Sequence, residues 1–121
     1  MNLKKLETNF SVCKLKDISK VNFFDDYCFL GKTDEEISLV CDTDSVPENY
    51  VACENGWRAF RVEGTLDFSL IGIISKISKI LADNQIGIFV VSTYNTDYIL
   101  VKEENWDFAV RVLTKEGYTF L

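Results

Sequence analysis

Histidine is absent from all 121 residues. Imidazole is the usual acid–base group near neutral pH and the commonest metal ligand, so no Ser–His or Cys–His nucleophile pair can form here. Proline occurs once, at Pro47, while hydrophobic residues make up 47% of the chain, a balance that argues against wholesale disorder. No apolar run approaches the ~20 residues of a membrane span. The longest candidate, residues 70–81, is interrupted by Ser75, Lys76, Ser78 and Lys79. The opening MNLKKLETNF has no apolar stretch of signal-peptide length, so the chain reads as cytoplasmic and free of membrane. Basic residues are outnumbered 13 to 19, giving a net charge of −6. Such a chain repels phosphate backbones, which excludes nucleic acid as a partner. Neither a Walker-type loop nor a GxGxxG loop is present, and Glu35/Glu36 and Glu103/Glu104 read as solvated charge. The expectation is a protein without catalytic residues, cofactor or metal.

Cysteine is present four times, as Cys13, Cys28, Cys41 and Cys53, with no CxxC pair. Three of them sit in apolar-rich segments, where a reduced cysteine behaves as a small hydrophobe. A disulfide or metal role is the alternative.

The clearest periodicity lies in the second half. Residues 57–63 (WRAFRVE) alternate as a strand that Gly64 ends. Thr65 or Asp67 can then cap a helix reaching about Ala82. Its apolar face is Leu70, Ile73, Ile74, Ile77, Ile80 and Leu81, and Asn84 is the expected left-handed stop. Residues 86–93 and 97–102 are two strands joined by an Asn95-Thr96 turn. Residues 103–116 form a helix with Trp106, Ala109, Val110 and Leu113 on one face. Glu103 and Glu104 suit its positive end and Lys115 its negative end. Gly117 stops that helix, and residues 118–121 return as a strand. The order β-α-β-β-α-β predicts an α+β, ferredoxin-like sandwich with both helices on one sheet face.

The first half reads as a degenerate copy. FLGKTDEEISLV, from residue 29, lies beside VVSTYNTDYILV, from residue 90, at an offset of 61. FSVCKL, from residue 10, parallels the strand at Trp57. Only residues 16–27 remain for a first helix, which must be short or irregular. Pro47 and the polar residues 42–55 are the expected link. The domain expectation is therefore a half over 1–55 and a second over 56–121.

Two runs, EGTLDFSLIGI (63–73) and STYNTDYILV (92–101), give the chain a resemblance to small bacterial ACT-domain proteins. These are relatives of the ACT modules of aspartate kinases and of the animal cytosolic arginine sensors. The resemblance implies tandem ACT-like halves and regulatory binding of a small metabolite, usually an amino acid. It places ligand contacts at Leu70, Gly72 and Ile73 on the helix start, and at Thr93, Tyr94, Asn95, Thr96 and Asp97 on the facing hairpin. The arginine-sensing relatives carry an acidic residue where this chain has Leu70, which speaks against arginine itself.

Elementary chemistry reads the same residues in a compatible way. A helix start offers unpaired N–H groups to a carboxylate, Gly72 permits close approach or close packing, and Asp97 suits an ammonium group. Asp67 and Ser69 are caps that can also touch ligand. Asn95-Thr96-Asp97 is equally the composition of an ordinary turn. The expected function is a non-catalytic regulatory protein that binds an amino acid and acts as a homodimer on some protein partner. The alternative is a partner-docking or structural protein that has lost its ligand.

Overall fold

A computed structural model describes residues 1–64 and 71–121. The chain divides into two compact units, Met1–Glu7 with Arg58–Leu121, and Thr8–Trp57. The elements, in chain order, are β1 (Asn2–Lys5), β2 (Phe10–Leu15), β3 (Cys28–Lys32), β4 (Ile37–Asp42), β5 (Tyr50–Val62), α1 (Ile73–Asp83), β6 (Ile88–Ser92), β7 (Asp97–Lys102), α2 (Trp106–Lys115) and β8 (Thr119–Phe120).

The larger unit carries the expected β-α-β-β-α-β order, from the end of β5 to β8. Its strands run β6-β7-β5-β1-β8. The short strand β1 lies between β5 and β8, antiparallel to the first and parallel to the second. The residues before Phe10 carry little of the family resemblance, yet they supply this strand. What recruits them is Leu3, which is fully buried opposite Val62. Both helices pack on one face, where Phe60 and Val62 of β5 and Ile99 and Val101 of β7 alternate inward. They meet Ile77 and Leu81 of α1 and Trp106, Ala109 and Leu113 of α2. Trp106 is buried in this core, and the Arg58 guanidinium lies 4.5 Å from its ring centre.

Two helix ends differ from expectation. Helix α1 begins at Ile73, with Gly72 at its N-cap, whereas Thr65, Asp67, Ser69 and Leu70 lie outside the described residues. At its far end the left-handed residue is Gln85, at φ 60, one position beyond Asn84. Asn84 stays with the helix because its Nδ2 donates to the Ile80 carbonyl at 2.8 Å. Helix α2 starts with a single tight turn, Glu103–Asn105, before the α-helix proper, and Gly117 ends it at φ 98.

In the smaller unit, β4 pairs with β3 and β2, and β2 pairs with the first part of β5. Residues 42–55 are only partly the expected link. Thr43–Ser45 make a tight helical turn whose Asp44 N–H donates to Asp42 Oδ1 at 2.9 Å, but β5 begins already at Tyr50. Pairing with β2 overrides the polar composition there. Residues 16–27 contain no helix. Short polar side chains hold their turns instead: Asp17 Oδ1 accepts from Ser19 N at 3.0 Å and from Asn49 Nδ2 at 3.1 Å.

The two hairpins share a pattern at a spacing of sixty residues rather than the expected 61. Thr33 N donates to the Glu36 carbonyl at 2.9 Å, and Thr93 N to the Thr96 carbonyl at 2.8 Å. In both β4 and β7 the third, fourth and fifth residues are buried. A tight helical turn follows each, at Thr43–Ser45 and Glu103–Asn105.

Candidate functional site

The start of α1 has unusual local chemistry. Gly72 takes φ 84, a conformation open to glycine at little cost. A Cβ built there meets nothing within 4 Å. Backbone conformation alone is enough to call for a glycine here, and no described protein atom packs against it. Among the described residues no side chain caps this end, and its first turn, which carries the positive end of the helix dipole, holds no acidic residue. The first bond of the helix runs from Lys76 N to the Gly72 carbonyl at 2.9 Å.

An open cleft of about 720 Å³ lies beside this end. Ile71, Gly72, Ile73, Ser75, Lys76, Lys79 and Ile80 form one wall; Glu116, Gly117, Tyr118 and Met1 form the other. The second wall includes the C-terminal end of α2. There the Glu116 N–H donates to the Val112 and Leu113 carbonyls and the Tyr118 N–H to Leu113. The positive end of one helix and the negative end of the other thus border one space. Lys79 is held by Asp83 at 2.9 Å; that hydrogen bond, then the charge of Asp83, raises its pKa. Burial, then the charge of Glu116, pushes the Tyr118 phenol up.

Of the expected ligand contacts, Gly72 and Ile73 line the cleft. Thr93, Tyr94, Asn95, Thr96 and Asp97 do not. The hairpin tip is instead tied to the neighbouring strand, with Thr96 Oγ1 donating to the Val62 carbonyl at 2.6 Å in a buried position. Asp97 Oδ1 accepts from Ser92 Oγ at 2.6 Å, and Tyr94 is exposed. Asp67, Ser69 and Leu70 fall outside the described residues. The sequence reading missed Lys76, Lys79, Glu116 and Tyr118. Helical periodicity marks them only as polar-face or helix-end positions, and no local pattern brings the start of one helix to the end of another.

Among the described residues no group of three or more cysteine, aspartate or glutamate side chains is placed to hold a metal ion. Nor is any described helix long and apolar enough to cross a membrane.

Comparison with known proteins agrees with this architecture. The family model described as ACT domain matches residues 52–115. An Agobacterium tumefaciens protein, Atu0741, is 29% identical, with 99% of this chain and 91% of that one aligned at a TM-score of 0.89. The regulatory subunit of aspartate kinase from Thermus thermophilus aligns over 93% of this chain and 95% of its own at 10% identity and a TM-score of 0.67. Aspartate kinase from Synechocystis aligns over 99% of this chain and 27% of its own at 16% identity and a TM-score of 0.71. At these identities the two kinase comparisons establish a shared fold.

Proposed function

From the premise that this chain belongs to the ACT-domain family, we propose that it is a non-catalytic regulatory protein that binds a free amino acid at the start of α1. The observation that carries this reading is the shared cleft: the start of α1 at Gly72 and the closing end of α2 at Glu116 both line it. A zwitterion carries two opposite charges a short distance apart. Its carboxylate is taken by the first backbone N–H groups of α1, with Lys76 adding charge. Its ammonium is taken by Glu116, which lines the cleft where Asp97 does not.

The regulatory role is supported by family membership and by the likeness to a kinase regulatory subunit. The matching hairpins sixty residues apart support a tandem origin for the two units. The chain acts in the cytoplasm as a homodimer. The strands β3, β6 and β8 each pair on one side only among the described residues, and open edges invite pairing.

Isothermal titration of the full chain with each of the twenty amino acids tests the reading. One or a few should bind, and Glu116→Gln should weaken that binding at least tenfold, about 1.4 kcal/mol, while Asp97→Asn leaves it unchanged. If no amino acid binds at millimolar concentration, the partner-docking alternative replaces this one. Light scattering that gives the monomer mass of 13.9 kDa would remove the dimer.

A further inference from the structure

The four cysteines, scattered through the sequence, come together in the smaller unit. Cys28 stands opposite Cys41 across β3 and β4, and Cys13 stands opposite Cys53 across β2 and β5. Cys41 faces Ser11, two residues before Cys13 on the same strand. Since alternate residues of a strand share a face, all four thiols lie on one face, in a row across four strands. Leu15, Leu39, Ile37, Val21 and Val46 pack around them.

We propose that Cys13 and Cys53 form a dithiol site that a hydroperoxide oxidises to an intramolecular cross-strand disulfide. The sulfur contact singles out this pair among the described residues, and two further observations suit it. Their sulfurs are in direct contact at 3.3 Å, with Cys13 Sγ donating to Cys53 Sγ. Cys13 and Cys53 are directly opposed, and such antiparallel residues have Cα atoms roughly 4.5–5.5 Å apart, inside the roughly 4.4–6.8 Å span of natural disulfides. The two thiols also differ in access. Cys53 is partly exposed and meets an oxidant, whereas Cys13 is buried and meets only its neighbours. Burial, then the hydrogen bond and charge of Cys53, pushes the Cys13 thiol up, which keeps its proton in place for donation to Cys53. Cys53 Sγ in turn reaches Asn55 Oδ1 at 3.4 Å.

The chemistry proceeds in two steps. The Cys53 sulfur attacks one peroxide oxygen; the O–O bond breaks and the other oxygen leaves as an alcohol, or as water from hydrogen peroxide. Cys53 is then a sulfenic acid. The Cys13 sulfur attacks the Cys53 sulfur, the S–O bond breaks, and hydroxide departs as water with the Cys13 proton. In sum, two thiols and one hydroperoxide give one disulfide, one alcohol and one water.

The test uses the reduced full chain and one equivalent of hydrogen peroxide, followed by alkylation and non-reducing peptide mapping. The expected product has lost two hydrogen atoms, retains alkylated Cys28 and Cys41, and links the Cys13 peptide to the Cys53 peptide. Dithiothreitol should restore all four thiols. Cys13→Ser should leave Cys53 as a sulfenic acid that dimedone captures. Cys28→Ser should form the same cross-link as the parent, and this holds the test open if Cys13→Ser does not fold. A Cys28–Cys41 link, a covalent dimer, or sulfinic acid at Cys53 beside free Cys13 would overturn the proposal.

Discussion

Replacing Thr96 by valine removes one hydroxyl from a buried position while keeping the shape of the side chain. That hydroxyl donates to the Val62 carbonyl at 2.6 Å, pinning the β6–β7 hairpin tip to the end of β5. The residue is 9% exposed, so water cannot readily take its place. An orphaned buried acceptor costs about 1–3 kcal/mol, and the methyl gained by valine returns less than about 1 kcal/mol. The net loss should be about 1–2 kcal/mol, which lowers the melting temperature of a chain this size by roughly 4–8 °C. The turn itself survives, because Thr93 N still donates to the Thr96 carbonyl. Urea unfolding followed by tryptophan fluorescence measures the difference. Thr96→Ser keeps the hydroxyl and should lie closer to the parent than Thr96→Val. The corresponding turn residue in the first hairpin, Glu36, is exposed, and its carboxylate accepts from the Ser38 hydroxyl at 2.7 Å. Glu36→Ala should therefore fall within about 0.5 kcal/mol of the parent. If Thr96→Val is as stable as the parent, or Thr96→Ser is as unstable as Thr96→Val, the hydroxyl does not tether the hairpin.

Three further outcomes follow from the backbone and the thiols. Gln85→Gly should stabilise the fold by up to ~1 kcal/mol, because Gln85 is exposed and holds φ 60, a region costing L-residues about 1–2 kcal/mol, part of which the looser unfolded chain offsets; a fall in melting temperature would refute this. Gly72→Ala should cost about 1 kcal/mol through the same conformational term, with no clash, and Gly72→Asn should cost less; equal losses for both in urea titrations would point to packing instead. Burial pushes the Cys41 thiol up from 9.0 to about 12. Between these values the unfolded chain has lost a proton that the folded chain keeps, so stability falls as pH rises, by about 1.4 kcal/mol per unit, with no effect below about 9. Chemical denaturation under reductant at about pH 8 and about pH 11 should show that fall, and Cys41→Ala should reduce its slope.

The sequence by itself determined the elements of the larger unit and their order. The three- and four-residue spacing from Ile73 to Leu81 and the runs on either side of Asn95-Thr96 are local patterns, and local patterns report secondary structure directly. It determined the second hairpin of the pair as well, though with a register one residue off, because Leu39/Val40 and Leu100/Val101 look alike while the turn threonines fix the true spacing. The positive φ at Gly72 and Gln85 was beyond it, since a helix end is set by the path of the chain around it. Only the tertiary structure decided that Asn2–Lys5 pairs with residues more than fifty positions away, through Leu3 against Val62. It alone carried β5 back to Tyr50, where partner strands outweigh polar composition. It alone set Glu116 across a cleft from Gly72, and Cys13 against Cys53 forty residues away. Those juxtapositions depend on which strands pair and which helices pack together, and residues far apart in the chain carry no periodicity that records it.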